Sequence, residues 1–285
     1  MANEMSSANL AFEERALKKE KTLERVIGSY GSALVAFSGG VDSAYLLYKA
    51  LQVLGSKKVL AVNLQTGLNR SVSSTQLKTL AEQLKAELLV IEYDLLQEPM
   101  VKDNSKERCY YCKRSIFGLL LNTAEERGIA AVLDGSNADD TMDYRPGMKA
   151  LKELGIKSPL LEAGLTKNEI RWLSAKAGLP TWDQPATTCL ATRFPYGTSI
   201  EPEMLNRVDQ AEEFLRSLPL AGDLRVRCHN NLARVEVNAE EINRVLENRE
   251  KISSRLKELG FTYITLSLDD FSSGSMNMGL FTTGK

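Results

Sequence analysis

Residues 34 to 50 constrain this chain more than any other stretch. Leu34-Val35-Ala36-Phe37 is an apolar run, Ser38-Gly39-Gly40-Val41-Asp42-Ser43 follows it, and Ala44-Tyr45-Leu46-Leu47-Tyr48-Lys49-Ala50 comes next. A short apolar run closed by glycine reads as a buried strand, and an Ala/Leu-rich continuation reads as a helix. Two adjacent glycines at the joint let backbone N–H groups approach an anion that a Cβ would hold away. The helix start adds its dipole and its unpaired N–H groups, and Ser38 and Ser43 add hydroxyls. The stretch is therefore predicted to be a phosphate cradle on a strand–turn–helix joint. It is not a Walker loop, because no lysine follows the last glycine. Nor is it a dinucleotide fingerprint, because the third, spaced glycine is missing.

The rest of the chain sets bounds on this cradle. With 285 residues there is room for one large domain or two smaller ones. The net charge of −1 argues against a dominant nucleic-acid surface, so no nucleic-acid partner is expected. No apolar run approaches the ~20 residues of a membrane span, and Met1 to Ala11 has no apolar signal core. The expectation is a cytoplasmic protein without a membrane partner. Four cysteines in a chain this long are not a disulfide framework; they suggest metal, catalysis or inert burial. The single histidine, His229, rules out a histidine-rich zinc site and reads best as an ordinary surface or half-buried residue.

Taken in order, residues 1 to about 10 lack periodicity and are expected to be loose, and Ala11 to Ser29 reads as a helix. Strands are predicted at Lys58–Leu64, Leu88–Tyr93 and Ile129–Leu133, and helices at Ser71–Leu84 and Ser115–Arg127. Strands alternating with helices imply an α/β fold, a doubly wound parallel sheet with helices on both faces. Ligands of such sheets bind at the carboxyl ends of strands, so the loops at Ser38 and Asp134 should face one crevice. Thr166 to Ala177 is a further helix, with Thr166 and Glu169 forming a capping box. Gln184 to Gly197 is irregular. Beyond it lie a helix at Glu203–Ser217, paired strands at Asp223–Cys228 and Ala233–Val237, a helix at Glu240–Leu259 and a last strand at Phe261–Leu266. Asn230-Asn231 reads as the hairpin turn, and residues 270 to 285 as a mobile tail. The expected division is residues 1–198 as the nucleotide domain and 199–285 as a small α+β domain for substrate or oligomer contacts.

Three further groups carry chemistry. Asp134-Gly135-Ser136-Asn137-Ala138-Asp139-Asp140 follows a strand, so its Asp and Gly can hold a nucleotide by backbone contacts and carboxylates at the crevice can hold Mg²⁺ bridging phosphates. Cys189 lies in a loop with Arg193 nearby, the setting of a low-pKa thiolate and hence of a nucleophile. Cys109-Tyr110-Tyr111-Cys112 is a C-x-x-C that is equally compatible with redox, metal or chance, and Cys228 reads as a buried strand thiol. Arg225 and Arg227 alternate on one strand face, with Arg193 and Arg234 as further candidates for phosphate binding.

Ser-Gly-Gly-Val-Asp-Ser resembles the pyrophosphate (PP) loop of the ATP pyrophosphatases, which implies that ATP is split between its α and β phosphates. More specific segments follow in order: Asp143-Tyr144-Arg145-Pro146-Gly147, Leu161-Glu162-Ala163-Gly164-Leu165-Thr166-Lys167, Gly178-Leu179-Pro180-Thr181-Trp182 and Cys189-Leu190-Ala191-Thr192-Arg193-Phe194-Pro195-Tyr196-Gly197. Together they resemble the LarE family, ATP-dependent sacrificial sulfur transferases of nickel-pincer cofactor synthesis, over roughly residues 15 to 270. The resemblance implies that ATP and Mg²⁺ adenylate the carboxylates of pyridinium-3,5-biscarboxylic acid mononucleotide, and that sulfur then displaces AMP. It implies Ser38, Gly39, Gly40, Asp42, Ser43, Asp134, Gly135 and Asp140 for the nucleotide, and Cys189 as the catalytic cysteine. An Arg-x-Arg strand followed by Ala-Arg-x-Glu-Val implies Arg225 and Arg227 for the substrate phosphate, with Arg193 nearby and Glu236 organising the site. The family includes single-cysteine members that give up their own sulfur, and others thought to hold a [4Fe–4S] cluster on three cysteines. Here Cys109, Cys112 and Cys189 make the second option available. A homo-oligomer is also implied. The rivals are a tRNA-thiolating enzyme, which filter binding to tRNA would reveal, and an amide synthetase of the NAD or GMP type. The latter leaves the cysteines unexplained.

Overall fold

The computed structural model describes residues 2–69, 74–141, 146–185 and 188–272. The chain forms two compact units that interleave in sequence: Met1–Thr66, Ser71–Tyr93 and Cys109–Ala186 make the first, and Gly67–Arg70, Asp94–Arg108 and Thr187–Lys285 the second. Among the described residues no helix is long and apolar enough to cross a membrane.

The first unit runs α1 (Ala2–Gly28), β1 (Ala33–Ala36), α2 (Val41–Leu54), β2 (Val59–Gln65), α3 (Ser74–Leu84), β3 (Glu87–Glu92), α4 (Arg108–Glu126), β4 (Ala131–Leu133), α5 (Pro146–Glu153) and α6 (Lys167–Lys176). The sheet order is β3-β2-β1-β4 and every pairing is parallel. Side chains alternate across a strand, and both faces of β1 are covered. Ala33 and Val35 pack with Leu23 and Ile27 of α1 and with Ile170 and Leu173 of α6. Leu34 packs with Phe117 and Leu120 of α4 and Leu151 of α5. This is the doubly wound sheet that the alternating strands and helices predict. The winding reverses between β1 and β4, which is where such sheets open a crevice at their carboxyl ends.

Two helices are longer than expected. Helix α1 begins at Ala2, because Ala2, Glu4, Met5 and Ala8 favour helix and nothing in the stretch breaks it. Helix α4 begins at Arg108 rather than Ser115, so Cys109 and Cys112 lie at its start and not in a loop. The reason is tertiary. Gly147 of α5 sits against this turn, where a Cβ would stand 3.1 Å from Lys113 Cγ and 3.3 Å from the Cys109 carbonyl. The first residues of the expected Ser71–Leu84 helix, the Asp143-Tyr144-Arg145 motif and the tail beyond residue 272 lie outside the described residues.

The capping box of α6 is present, with Thr166 and Glu169 bonded reciprocally. Glu169 is fully buried and also takes Lys19 at 2.6 Å and Arg15 at 2.8 Å, which ties α1 to α6. Burial alone would raise its pKa; the bonds from Lys19, the Thr166 N–H and Arg15 outweigh burial and hold it at about 2, below the ordinary 4.5. A depressed carboxyl contributes stability above its unfolded pKa and loses it as pH falls through the folded one. Glu169→Gln is therefore expected to lower Tm at neutral pH. It should also flatten the acid limb of the stability profile between about pH 4.5 and 2, as read by thermal melts.

The second unit contains α7 (Pro202–Ser217), β5 (Leu224–His229), β6 (Leu232–Val237), α8 (Ile242–Glu247), α9 (Arg249–Glu258) and β7 (Tyr263–Leu266). Strands β5 and β6 are antiparallel, joined at Asn230 with φ 57°, and β7 runs parallel to β6. The helix expected over Glu240–Leu259 is two helices broken at Asn248, whose amide donates to the Arg244 carbonyl at 2.8 Å and so competes with the helical ladder. The irregular segment around Cys189 holds a single 3-10 turn, Leu190–Arg193. Buried Asn104, with φ 48°, clamps the chain beyond that turn. Its amide donates to the Phe194 and Pro195 carbonyls at 3.1 and 2.8 Å, and its own carbonyl accepts the Gly197 N–H at 3.0 Å.

Candidate functional site

In the first unit the predicted cradle closes on itself. The Ser43 hydroxyl donates to the Gly40 carbonyl at 3.0 Å and lies 3.1 Å from the Ser38 hydroxyl. Gly39 has φ +80°, a conformation that glycine adopts without penalty. No side chain caps α2, so its first N–H groups keep their capacity for an anion. The loop is held from behind by Asn63, whose amide donates to the Phe37 carbonyl at 2.7 Å.

The loop after β4 comes against this helix start. A Cβ on Gly135 would stand 3.3 Å from the Ser43 nitrogen and 3.5 Å from Asp42 Cβ, so any larger residue would have to push the two loops apart by a few tenths of an ångström. Asn137 joins the two loops: its amide donates to Asp42 at 3.4 Å and its N–H to Asp140 at 2.9 Å. The structure thus brings Ser38, Gly39, Gly40, Asp42, Ser43, Gly135 and Asp140 together. Asp134 is buried in its own loop, where it accepts the Ser136 and Ser158 hydroxyls, both at 2.5 Å, with Lys113 Nζ at 3.8 Å.

Lys167 was not singled out in the sequence, yet its ammonium pairs with Asp42 and its N–H donates to Asp139 at 2.8 Å. A signal for it existed. Capping by Thr166 makes Lys167 the first residue of α6, where the helix dipole disfavours a cation. A lysine there needs an anionic partner. Glycine backbone, uncapped helix N–H groups, a lysine and two carboxylates suit Mg²⁺-bound phosphates.

The second unit gathers the other predicted residues. Cys189 precedes the Leu190–Arg193 turn, and its carbonyl accepts the Thr192 N–H at 3.0 Å and hydroxyl at 2.7 Å. Arg193 is 2% exposed and Glu212 0%. Arg193 Nε and Nη2 donate to the two Glu212 oxygens at 2.7 and 3.0 Å, while Nη1 donates to the Thr188 and Thr192 hydroxyls at 2.7 and 2.8 Å. Arg193 therefore staples both sides of Cys189 to α7, and all three of its nitrogens are engaged in doing so.

The cross-strand register places Arg225 opposite Glu236 and Arg227 opposite Arg234, all on one face of the β5–β6 ribbon. Glu236 takes Arg227 Nε at 3.0 Å and Arg234 Nη2 at 2.5 Å, and Arg227 Nη1 also donates to the Thr192 carbonyl at 2.6 Å. Glu212 takes Arg216 as well as Arg193. Arg225, 9% exposed, pairs with neither carboxylate. Burial first, then the Arg193 and Arg227 charges, push its pKa down to about 10. Arg234 Nε is buried and meets no acceptor among the described residues. Cations in excess of carboxylates on one face, with a desolvated guanidinium among them, suit an anion beside the Cys189 turn.

His229 lies at the exposed end of β5. Cys228 is buried, and burial raises its pKa. Cys109 is exposed and Cys112 half-buried at the start of α4, and no cysteine is in a disulfide. Among the described residues no group of three or more His, Cys, Asp or Glu is arranged to hold a metal ion.

A family model described as NAD synthase matches residues 17–114, the segment from α1 through the cradle to the start of α4. The chain is 38% identical over 259 residues to the pyridinium-3,5-bisthiocarboxylic acid mononucleotide synthase of Lactiplantibacillus plantarum, covering 91% of this chain and 94% of that protein. It is also 38% identical to an uncharacterized protein of Synechocystis (91% and 97% covered) and 30% identical to one of Methanocaldococcus jannaschii (84% and 90% covered).

Proposed function

Because this chain belongs to the pyridinium-3,5-bisthiocarboxylic acid mononucleotide synthase (LarE) family, we propose that it is an ATP-dependent sulfurtransferase of nickel-pincer nucleotide cofactor synthesis. Its substrate is pyridinium-3,5-biscarboxylic acid mononucleotide, and its product carries thiocarboxylates. The observation that carries this reading is the anion site tied directly to the Cys189 turn through Arg193, Thr192 and Arg227. An amide synthetase needs no thiol beside its acyl substrate, and a tRNA thiolase needs a basic surface for its polyanionic substrate, against which a net charge of −1 argues.

In this reading Ser38, Gly39, Gly40, Ser43 and the α2 start hold the pyrophosphate, with Lys167 as counter-cation. Asp42 and Asp140 would hold Mg²⁺, which would neutralise phosphate charge. Gly135 makes room for the nucleotide, and Asp134 shapes that loop. A substrate carboxylate oxygen attacks the α-phosphorus, the α–β bridging bond breaks, and pyrophosphate leaves. The Cys189 thiolate attacks the acyl adenylate, and AMP leaves. Cleavage of the Cys189 Cβ–S bond, with loss of the Cα proton, frees the thiocarboxylate and leaves dehydroalanine.

Arg225 and Arg227 take the substrate phosphate, Glu236 sets the posture of Arg227 and Arg234, and Arg193 positions Cys189 rather than touching substrate. Arg225→Ala is expected to raise KM for the mononucleotide by about 30-fold or more with KM for ATP unchanged, read in a pyrophosphate-release assay. Equal loss toward both substrates would contradict the assignment.

A second sulfur source is favoured by Cys109 and Cys112, which stand three residues apart at the start of α4, on one helical face. The family resemblance, rather than their placement, is what adds Cys189 as a third thiolate; a [4Fe–4S] cluster on three thiolates would supply sulfide without consuming Cys189. Anaerobic purification with iron and labile-sulfide assay separates the two. Bound iron with an absorption shoulder near ~400 nm supports the cluster. Iron-free protein whose Cys189 peptide loses the mass of H₂S on turnover supports the sacrificial route.

A further inference from the structure

Arg225 meets no carboxylate among the described residues; what it meets is an aromatic face. Its guanidinium carbon lies 4.6 Å from the centroid of the Phe271 ring. The segment that delivers this ring is fastened at several points. The Ser267 N–H donates to the Val235 carbonyl at 2.9 Å, extending the pairing of β7 with β6. Asp270 then accepts the Ala239 and Phe271 N–H groups, both at 2.9 Å.

The choice of partner matters for charge. A carboxylate against Arg225 would offset its charge, as Glu236 offsets part of the charge that Arg227 and Arg234 carry together. A ring face attracts a cation through its quadrupole and leaves the formal charge intact. It also consumes none of the in-plane N–H donors, which a phosphate needs for bidentate binding.

We propose that Phe271 is a positioning residue that holds the Arg225 guanidinium ready for the substrate phosphate without neutralising it. The ring at position 271 thereby sets affinity for the mononucleotide and not for ATP. This rests on Arg225 being a ligand of the substrate phosphate.

The test is steady-state pyrophosphate release with pyridinium-3,5-biscarboxylic acid mononucleotide and ATP varied separately, for R225A, F271L, F271W and F271E. F271L keeps an apolar side chain and removes the π face. It should raise KM for the mononucleotide about tenfold with kcat and KM for ATP unchanged, while F271W stays near wild type. F271E should lose more affinity than F271L, because its carboxylate neutralises Arg225, yet melt no lower than F271L. An unchanged KM in F271L would overturn the proposal. So would a lowered one, which would make the ring an obstacle, and so would equal losses in F271L and F271E, which would make it filler. If R225A itself leaves KM for the mononucleotide unchanged, the phosphate assignment fails instead, whatever the Phe271 variants do.

Discussion

Cys189→Ser is expected to abolish thiocarboxylate formation, by on the order of a thousandfold or more, while ATP-dependent pyrophosphate release persists. On the proposed mechanism the two half-reactions depend on different residues: adenylation on the Ser38–Ser43 cradle and the Asp134–Asp140 loop, the attack on the Cys189 thiol. A serine hydroxyl is nearly isosteric and far less nucleophilic at neutral pH, so the acyl adenylate should accumulate and then hydrolyse. Mass spectrometry of the mononucleotide together with a pyrophosphate assay reads both halves at once. Full sulfur transfer by C189S would move the chemistry to another thiol, and loss of pyrophosphate release would mean that the cysteine turn is needed to build the nucleotide site.

Glu212→Ala should be the most destabilising single change in the second unit. Glu212 is completely buried and accepts from Arg193, from Arg216 at 3.3 Å and from the Val226 N–H at 3.1 Å. Removing it strands the buried Arg193 charge, which costs about 3–5 kcal/mol and should lower Tm by roughly 10 °C or more. Replacing both charges of the buried pair with apolar residues, Arg193→Met with Glu212→Leu, should restore part of the stability, because neither charge is then buried alone while the Val226 N–H still lacks its acceptor. Sulfur transfer should not return with it, since Thr188 and Thr192 lose the donor that holds the Cys189 turn. A stable double variant with full sulfur transfer would reduce the pair to a stability element.

Much of this arrangement is legible in the sequence, and the pattern of what is not has physical causes. β1, the cradle and α2 are read directly, because a strand closed by two glycines before an Ala/Leu-rich run has few alternative folds. The capping box at Thr166 and Glu169 and the turn at Asn230 are local, and local chemistry determines them. The start of α4 at Arg108 is not local. It depends on Gly147, far along the chain, packing against the Cys109 carbonyl. The break at Asn248 depends on which way a single amide turns. Arg193 carries the same charge as Arg225 and sits in a motif rich in functional residues, so residue type alone suggests a substrate contact. Only the buried Glu212, distant in sequence, engages it as a staple. Lys167 was hidden for the opposite reason: it reads as a solvated helix residue until its pairing with Asp42 is seen.

The most direct measurement follows the oxygen that leaves. Pyridinium-3,5-biscarboxylic acid mononucleotide labelled with heavy oxygen in its carboxylates is incubated with the protein, ATP and Mg²⁺, and AMP, pyrophosphate and the mononucleotide are weighed by mass spectrometry. Adenylation followed by sulfur attack predicts label in AMP in proportion to thiocarboxylate formed, with none in pyrophosphate. Unlabelled AMP, or ADP with labelled phosphate, would contradict it.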